Sequence, residues 1–298
     1  MLIAAAAAAA VTVFMFTTLN VYAAQDLQLD RTEVDMDTEI GQYSGMATVL
    51  AKEGCTEIIT SADPADPSIV STEISVPGDE IFLYAVNAGE TTVNVQGSQG
   101  TVIPVHVKIG DAAIQVALKN WSHIGDNYYG SPKLIVDTMP GAKVSVKVGK
   151  DKYKAITMPV ESDAFVRKSM KLKKIYKLGT KVTATFTKGS AKVIKTYKIR
   201  RGTRTWGASA KGKKLKVQIW NAHKGDTIRL TIAKKTYTKK VTKNYNDKHH
   251  KFTFNTKSKI KKSAVFKITI KNKYKQKLES IQRKLHNGTW NLEDDWED

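Results

Sequence analysis

Residue periodicity predicts an all-β chain: tandem β-sandwich domains in a semi-rigid rod, following a signal peptide. Three observations lead there. Short runs of alternating apolar and polar residues, separated by Gly, Pro, Asn and Asp turns, fill residues 62–109. A block of apolar anchors recurs at a spacing of 84 residues in the second half. The charge also divides sharply. Residues 24–110 carry 3 basic and 14 acidic side chains (net −11), and residues 111–288 carry 45 basic and 9 acidic (net +36). The last ten residues add five acids and no base, which leaves the whole chain at +20. Such asymmetry marks domain boundaries and a basic part suited to an anionic partner.

Residues 1–23 are uncharged and mostly Ala, Val, Phe, Met and Leu. The apolar run breaks at Thr17, Thr18 and Asn20, short of the about 20 apolar residues a membrane span needs. It closes on Val21-Tyr22-Ala23, with small residues, Val21 and Ala23, at the two positions a signal peptidase reads. No Lys or Arg precedes it, and a retained anchor helix is the alternative reading. No later apolar run is long enough to span a bilayer, so the expectation is a mature chain without a transmembrane span, secreted or at the surface, from a Gram-positive bacterium. A single cysteine, Cys55, excludes a disulfide framework and a thiol metal site.

In the acidic segment, Asp63-Pro64-Ala65-Asp66-Pro67 reads as a double turn, since each proline holds the residue before it extended. Ile69-Val70 starts a strand. Ile81, Leu83 and Ala85 alternate with Phe82, Tyr84 and Val86, a strand expected to be buried on both faces. Asn87–Glu90 and Gly97–Gly100 are turns around a strand opening at Thr92, and Val102–Ile109 is the last strand. The stretches DPSIVSTEI and LYAVNAGETTVNVQGSQGTVIPVHVKI resemble the second half of a bacterial immunoglobulin-like group 2 domain over residues 62–109. The Trp usual before its Asn-Pro turn is absent, and Ile59 stands nearby. The resemblance implies a spacer or adhesion module at 24–110 without catalytic residues.

The repeat aligns Gly141 and Lys143–Val148 with Gly225 and Thr227–Ile232, Tyr153 with Tyr237, and Val182, Ala184 and Phe186 with Phe266, Ile268 and Ile270. Trp121 falls within one residue of Trp206. Two basic β-sandwich repeats are therefore expected at 111–203 and 204–284, each of immunoglobulin-type size and similar in style to lysine-rich modules of Firmicutes surface proteins. An aperiodic acidic tail at 285–298 is expected to be loose.

No G-x-S-x-G, H-E-x-x-H, glycine phosphate loop, C-x-x-C or calcium loop is present, so neither catalysis nor a cofactor nor a metal is expected. His249 and His250 are strand neighbours and point apart. Glu161 and Asp163 follow Pro159 and read as a solvated loop. The lysines remain. Residues 214–240 hold eight Lys or Arg, with Leu215, Val217 and Ile219 inward, Lys214, Lys216, Gln218 and Trp220 outward, and Asn221–Gly225 turning into Ile228, Leu230 and Ile232. This stretch reads as one hairpin. Only seven of the 48 basic residues are Arg, the side chain that reads bases bidentately, which argues against specific nucleic-acid recognition. A net +36 nonetheless exceeds the magnitude of about 2–8 that solubility asks of a small domain.

The expected partner is an anionic cell-envelope polymer or glycan. Its candidate contacts are Lys171, Lys173, Lys174, Lys214, Lys216, Arg229, Lys261 and Lys262, with Trp121, Trp206 and Trp220 stacking on sugars or packing between domains. Lysine as a merely solvated face on a structural stalk, or on accessory modules of an extracellular enzyme, stays open.

Overall fold

The structure, a computed structural model, describes residues 26–38, 45–160 and 165–292. The export segment expected at 1–23, the pair Glu161 and Asp163, and the acids of 293–298 lie outside them. The described chain is an all-β series of sandwiches with one helix, and no described helix is long and apolar enough to cross a membrane.

The acidic module contains β1 (Glu33–Asp35), β2 (Met46–Leu50), β3 (Ile59–Pro64), β4 (Val70–Ile74), β5 (Glu80–Ala85), β6 (Gly89–Gly97) and β7 (Val102–Ile109). One sheet runs β1-β7-β6-β3 and the other β2-β5-β4. These are the C-F-G and B-E-D layers of an immunoglobulin sandwich, with β1 lying parallel beside β7. Alternation drives the packing: Val93 and Val95 face Val49, Ile81 and Leu83 across a fully buried core that includes Ile59. At its end the Glu57 carboxylate accepts N–H groups of Leu27 (2.8 Å), Gln99 (2.6 Å) and Thr101 (3.2 Å). The Thr101 hydroxyl and these backbone donors together hold it at about 2.

Two local expectations change. Strand β5 is buried on one face only, since Phe82 and Tyr84 are half-exposed. Asp63 and Pro64 belong to β3 rather than to a turn, with Pro64 opposite Val93. The edge position of β3 leaves proline's missing N–H without a ladder partner to lose.

Residues 111–121, expected to open a β-sandwich, instead form α1 (Asp111–Trp121), burying Ala113, Ile114, Ala117 and Leu118 along one stripe. Gly110 at its start has no capping side chain, and Asp37 supplies the cap: Oδ1 accepts the N–H groups of Gly110 (3.1 Å) and Ala113 (2.9 Å). The helix packs on β5 of the acidic module and on the following module, where Gln115 and Lys192 exchange two hydrogen bonds (3.2 and 2.9 Å).

The first basic module contains β8 (His123–Gly125), β9 (Lys133–Thr138), β10 (Lys143–Val148), β11 (Asp151–Lys152), β12 (Ile156–Thr157), β13 (Val166–Lys171), β14 (Lys181–Lys188) and β15 (Ala191–Lys198). The second contains β16 (Arg204–Lys211), β17 (Lys214–Trp220), β18 (Thr227–Ile232), β19 (Lys235–Lys240), β20 (His249–Asn255), β21 (Val265–Lys271), β22 (Lys277–Lys284) and β23 (Thr289–Asn291). Sheet β11-β10-β14-β15 corresponds to β19-β18-β21-β22, and β13-β9-β8 to β20-β17-β16. The duplication extends to register: Val144 faces Phe186 as Ile228 faces Ile270, both shifted by the 84 residues read from the sequence.

Strands β17 and β18 lie in different sheets, so residues 214–240 are not one hairpin. The chain crosses between layers at Asn221–Asp226, and the hairpin is β18–β19. The inward alternation is the same in either arrangement, which is why periodicity alone did not separate them. The described part of the tail, residues 285–292, is also ordered: β23 pairs with β16, and Trp290 is buried against Phe266 with Arg283 over its ring.

The two basic modules meet through a built seam. Tyr129, fully buried, donates to Asp226 Oδ1 (2.9 Å), and the His223 N–H donates to Asp226 Oδ2 (2.9 Å). Tyr128 donates to Asp247 (2.6 Å), Tyr274 to the Ile175 carbonyl (3.0 Å), and Gln276 brackets the Leu178 backbone with bonds of 3.0 and 3.1 Å. Gly130 sits so close to the His223 ring that a Cβ would overlap it.

Candidate polyanion-binding surface

In both basic modules the sheet built on β10 or β18 turns its apolar residues inward. Val144, Val146 and Val148 do so in the first, and Ile228, Leu230 and Ile232 in the second. Its outer face is therefore the complementary set. In the first module that face is Lys143, Ser145 and Lys147 on β10, Thr183, Thr185 and Thr187 on β14, and Lys192, Thr196 and Lys198 on β15, with one exposed apolar residue, Ile194, opposite Thr185. In the second it is Thr227, Arg229 and Thr231 on β18 and Lys267, Thr269 and Lys271 on β21, flanked by Thr238, Lys240, Ser280 and Gln282, with the exposed Val265 at its end opposite Lys284. No carboxylate occupies either face among these residues.

The pairing across strands is informative. Lys143 faces Thr187 and Lys147 faces Thr183; in the second module the same places hold Thr227 opposite Lys271 and Thr231 opposite Lys267. Each pair keeps one lysine and one hydroxyl, with the strands exchanged. Five directly opposed pairs are lysine against lysine: Lys147–Lys152, Lys133–Lys171, Lys181–Lys198, Lys211–Lys214 and Lys271–Lys277. Like charges directly opposed destabilise a sheet by up to about 1 kcal/mol each. Against them the described basic modules set one directly opposed ion pair, Arg167–Asp137 at 2.7 Å.

The residues singled out from the sequence are distributed over several surfaces. Lys214 and Lys216 share the outer face of β17 with Trp220, and Trp206 joins that face at a bulge in β16, its ring 4.9 Å from His249. Lys216 borders a cleft of about 130 Å³ with Gln218, Lys251, Ser209, Thr289 and Asn291. Arg229 lies on the opposite sheet, amid the threonines. Lys171 ends β13 opposite Lys133. Lys173 lies 5.3 Å over the Tyr153 ring and donates to the Lys152 carbonyl (3.1 Å). Lys174 is bonded to Asp151 (2.7 Å), which holds its ammonium above the usual lysine range. Lys261 and Lys262 lie in the loop before β21, and Lys261 lines a cleft of about 370 Å³.

The tryptophans divide. Trp121, last in α1, sits edge-on to Tyr84 of the acidic module (5.8 Å), and Trp220 tilts against Tyr128 across the seam between basic modules (6.2 Å). Trp121 is thus apart from the other two. Two further lysines turn away from solvent, Lys188 buried and Lys195 half-buried. Lys188 bonds the Pro140 carbonyl, and burial pushes its ammonium down. Lys195 bonds the Ser122 carbonyl (2.6 Å) and is lowered by burial and by Lys119.

Sequence reading missed Lys143, Lys147, Lys267 and Lys271. The signal was available as the odd-numbered partners of Val144, Val146, Phe266 and Ile268, but it was read for β17 and β18 alone. Among the described residues no cluster of His, Cys, Asp and Glu is arranged to hold a metal ion. A cleft of about 710 Å³ lies on the acidic module, where Lys108 answers Asp35 at 3.7 Å.

No family model matches the chain, and no curated protein matches it. Among solved structures, similarity is found to the BSP domain of a biofilm-associated protein, with 12% identity and a TM-score of 0.24. That alignment covers 73% of this chain and 45% of the other. Domains 7, 8 and 9 of the S-layer protein SbsC align at 10% identity over 88% of this chain and 96% of theirs, with a TM-score of 0.21. The FN1–FN3 domains of chicken CNTN1 align at 11% identity over 88% and 98%, with a TM-score of 0.22. The chain spans less than half the length of the biofilm-associated chain.

Proposed function

We propose that this chain is an exported, non-enzymatic surface or secreted binding protein whose two basic modules associate with an anionic envelope polymer or glycan. The acidic module then serves as a spacer or is displayed outward. The observation that carries this reading is the retention, in both repeats, of lysine–hydroxyl faces without carboxylates. Three opposed lysine pairs, each of which costs stability, lie in the same sheets: Lys147–Lys152 and Lys181–Lys198 in the first module and Lys271–Lys277 in the second. A surface selected only for solubility relieves such repulsion by interspersing acids. A polyanion lying along the sheet relieves it instead, since its charges enter between the opposed ammonium groups. Lysine rather than arginine suits an extended phosphate or sulfate polymer that is held by charge and not read in detail.

Binding to purified wall polymer, heparin and duplex DNA, each measured against salt, tests this. Saturable binding near physiological salt with a steep logarithmic salt slope is expected, and the slope counts displaced counterions. Replacing Lys143, Lys147, Lys267 and Lys271 by Gln should lower that slope. Negligible binding at physiological salt would instead support a structural stalk with a solvated lysine face. Retention on cell wall through a wash at about 1 M salt, where screening extends only about 3 Å, would rule out charge as the tether.

A further inference from the structure

The loops at 172–180 and 256–264 occupy the same place in the two basic modules and share their hydrogen bonds at the 84-residue shift. The Lys173 N–H donates to the Tyr153 hydroxyl (3.0 Å) as the Lys257 N–H does to that of Tyr237 (3.2 Å). The Thr180 N–H bonds the Lys177 carbonyl (3.2 Å) as the Ala264 N–H bonds that of Lys261 (3.0 Å).

Beneath the first loop the space is filled. Tyr176 is buried with its hydroxyl 2.6 Å from that of Tyr153 and 2.9 Å from Asp151 Oδ2, and Lys174 closes the group onto the same carboxylate oxygen at 2.7 Å. The second module keeps the wall tyrosine, Tyr237, and loses the plug. Ile260 stands at the place of Tyr176, Lys235 at that of Asp151, Ser258 at that of Lys174 and Ala264 at that of Thr180. A ring and a carboxylate have been removed, and a cation has been added.

What remains is the cleft of about 370 Å³ between Ile232, Tyr237, Ile260 and Ala264, with Lys235, Lys259 and Lys261 at its edge. Those three lysines are exposed, and among the described residues no ion pair engages them. The turn beside it takes left-handed φ values of 50° at Ala233 and 62° at Lys234, where the first module places Gly149 at 60°. A non-glycine residue is strained in that conformation.

We propose that this cleft is a binding site for an aromatic acid. Its ring occupies the place Tyr176 fills in the first module, and its carboxylate lies where Asp151 lies, among Lys235, Lys259 and Lys261. The site is separate from the extended lysine faces and does not depend on polymer binding. An apolar floor with a few convergent polar groups is the usual make-up of a small-ligand pocket.

The test is titration of the full chain with 4-hydroxyphenylacetate, followed by calorimetry and by NMR. Acetate serves as a charge without a ring and 4-ethylphenol as a ring without a charge. The aromatic acid should bind at least about tenfold more tightly than either control, a difference of about 1.4 kcal/mol. The double substitution Ile260→Tyr with Lys235→Asp restores the first module's plug and should abolish binding. If it does not fold, Lys259→Gln with Lys261→Gln, both at exposed positions, should weaken binding several-fold. Equal binding of acetate, no saturation below about 10 mM, or undiminished binding by either variant overturns the proposal.

Discussion

Replacing Asp226 by Asn should expose a hidden pH dependence at the seam between the basic modules. Burial raises the Asp226 carboxyl from 3.8 to about 6, despite the hydrogen bonds it accepts from the His223 N–H and Tyr129. Between those two values the folded chain holds a proton that the unfolded chain has released. Stability therefore falls as pH rises through this window, by about 3 kcal/mol at about 1.4 kcal/mol per pH unit. The His223 ring beside it shows the opposite behaviour. Burial lowers it from 6.5 to about 4, with Asn246 and Asp247 opposing and Lys273 assisting. Its fold-favouring neutral form is lost as pH falls from 6.5 towards 4, again at a cost of about 3 kcal/mol.

From pH 4 to 6 the two slopes oppose each other, so the contribution of this site is nearly independent of pH there. With Asp226→Asn only the histidine slope survives, and stability should climb by about 3 kcal/mol from pH 4 to 6.5. That corresponds to about 12–24 °C in Tm for a module of this size. The assay is thermal unfolding across pH 4–7, followed by tryptophan fluorescence, with native and variant chains measured side by side. The difference between them cancels carboxylates elsewhere. A difference profile that stays flat between pH 4 and 6 would refute this reasoning.

Other outcomes follow from single contacts. Trp290→Ala empties a buried position in the second basic module and should cost about 3–5 kcal/mol in denaturant unfolding, whereas a truly loose tail would show no change. Asp37→Ala uncaps α1 from a distance and should cost about 0.5–2 kcal/mol, read as faster amide exchange at Gly110 and Ala113. Glu57, held at about 2 against an ordinary 4.5, contributes stability that is present above pH 4.5 and lost as pH falls towards 2. Glu57→Gln should remove that acid sensitivity from the acidic module's transition. Trp121→Ala should leave each sandwich folded and loosen the contact of α1 with Tyr84, seen as new protease sensitivity near residue 110.

Much of the architecture was legible locally. Strand β7 falls on the predicted Val102–Ile109, and the outward set of β17 is the one read from alternation. Helix α1 was missed, although Ala113, Ile114, Ala117 and Leu118 recur at helical spacing after Gly110. Its cap comes from Asp37, 74 residues before Asp111, and no local signal carries that. Strand β23 was missed because three residues are too few for a period, and its stability comes from where Trp290 lands.

The sequence by itself determined that the chain is β-rich and duplicated at 84 residues, and that it is acidic first and basic after. Those properties are additive along the chain or repeat at a short period. Only the tertiary structure decided that β17 and β18 belong to opposite sheets, that Lys143 and Lys147 exchange places with Lys271 and Lys267 across strands, and that Ile260 leaves open what Tyr176 closes. Each of these depends on which residues face one another from distant positions. Alternation fixes only the face a side chain takes and leaves its neighbour across the ladder to the register of the folded sheet.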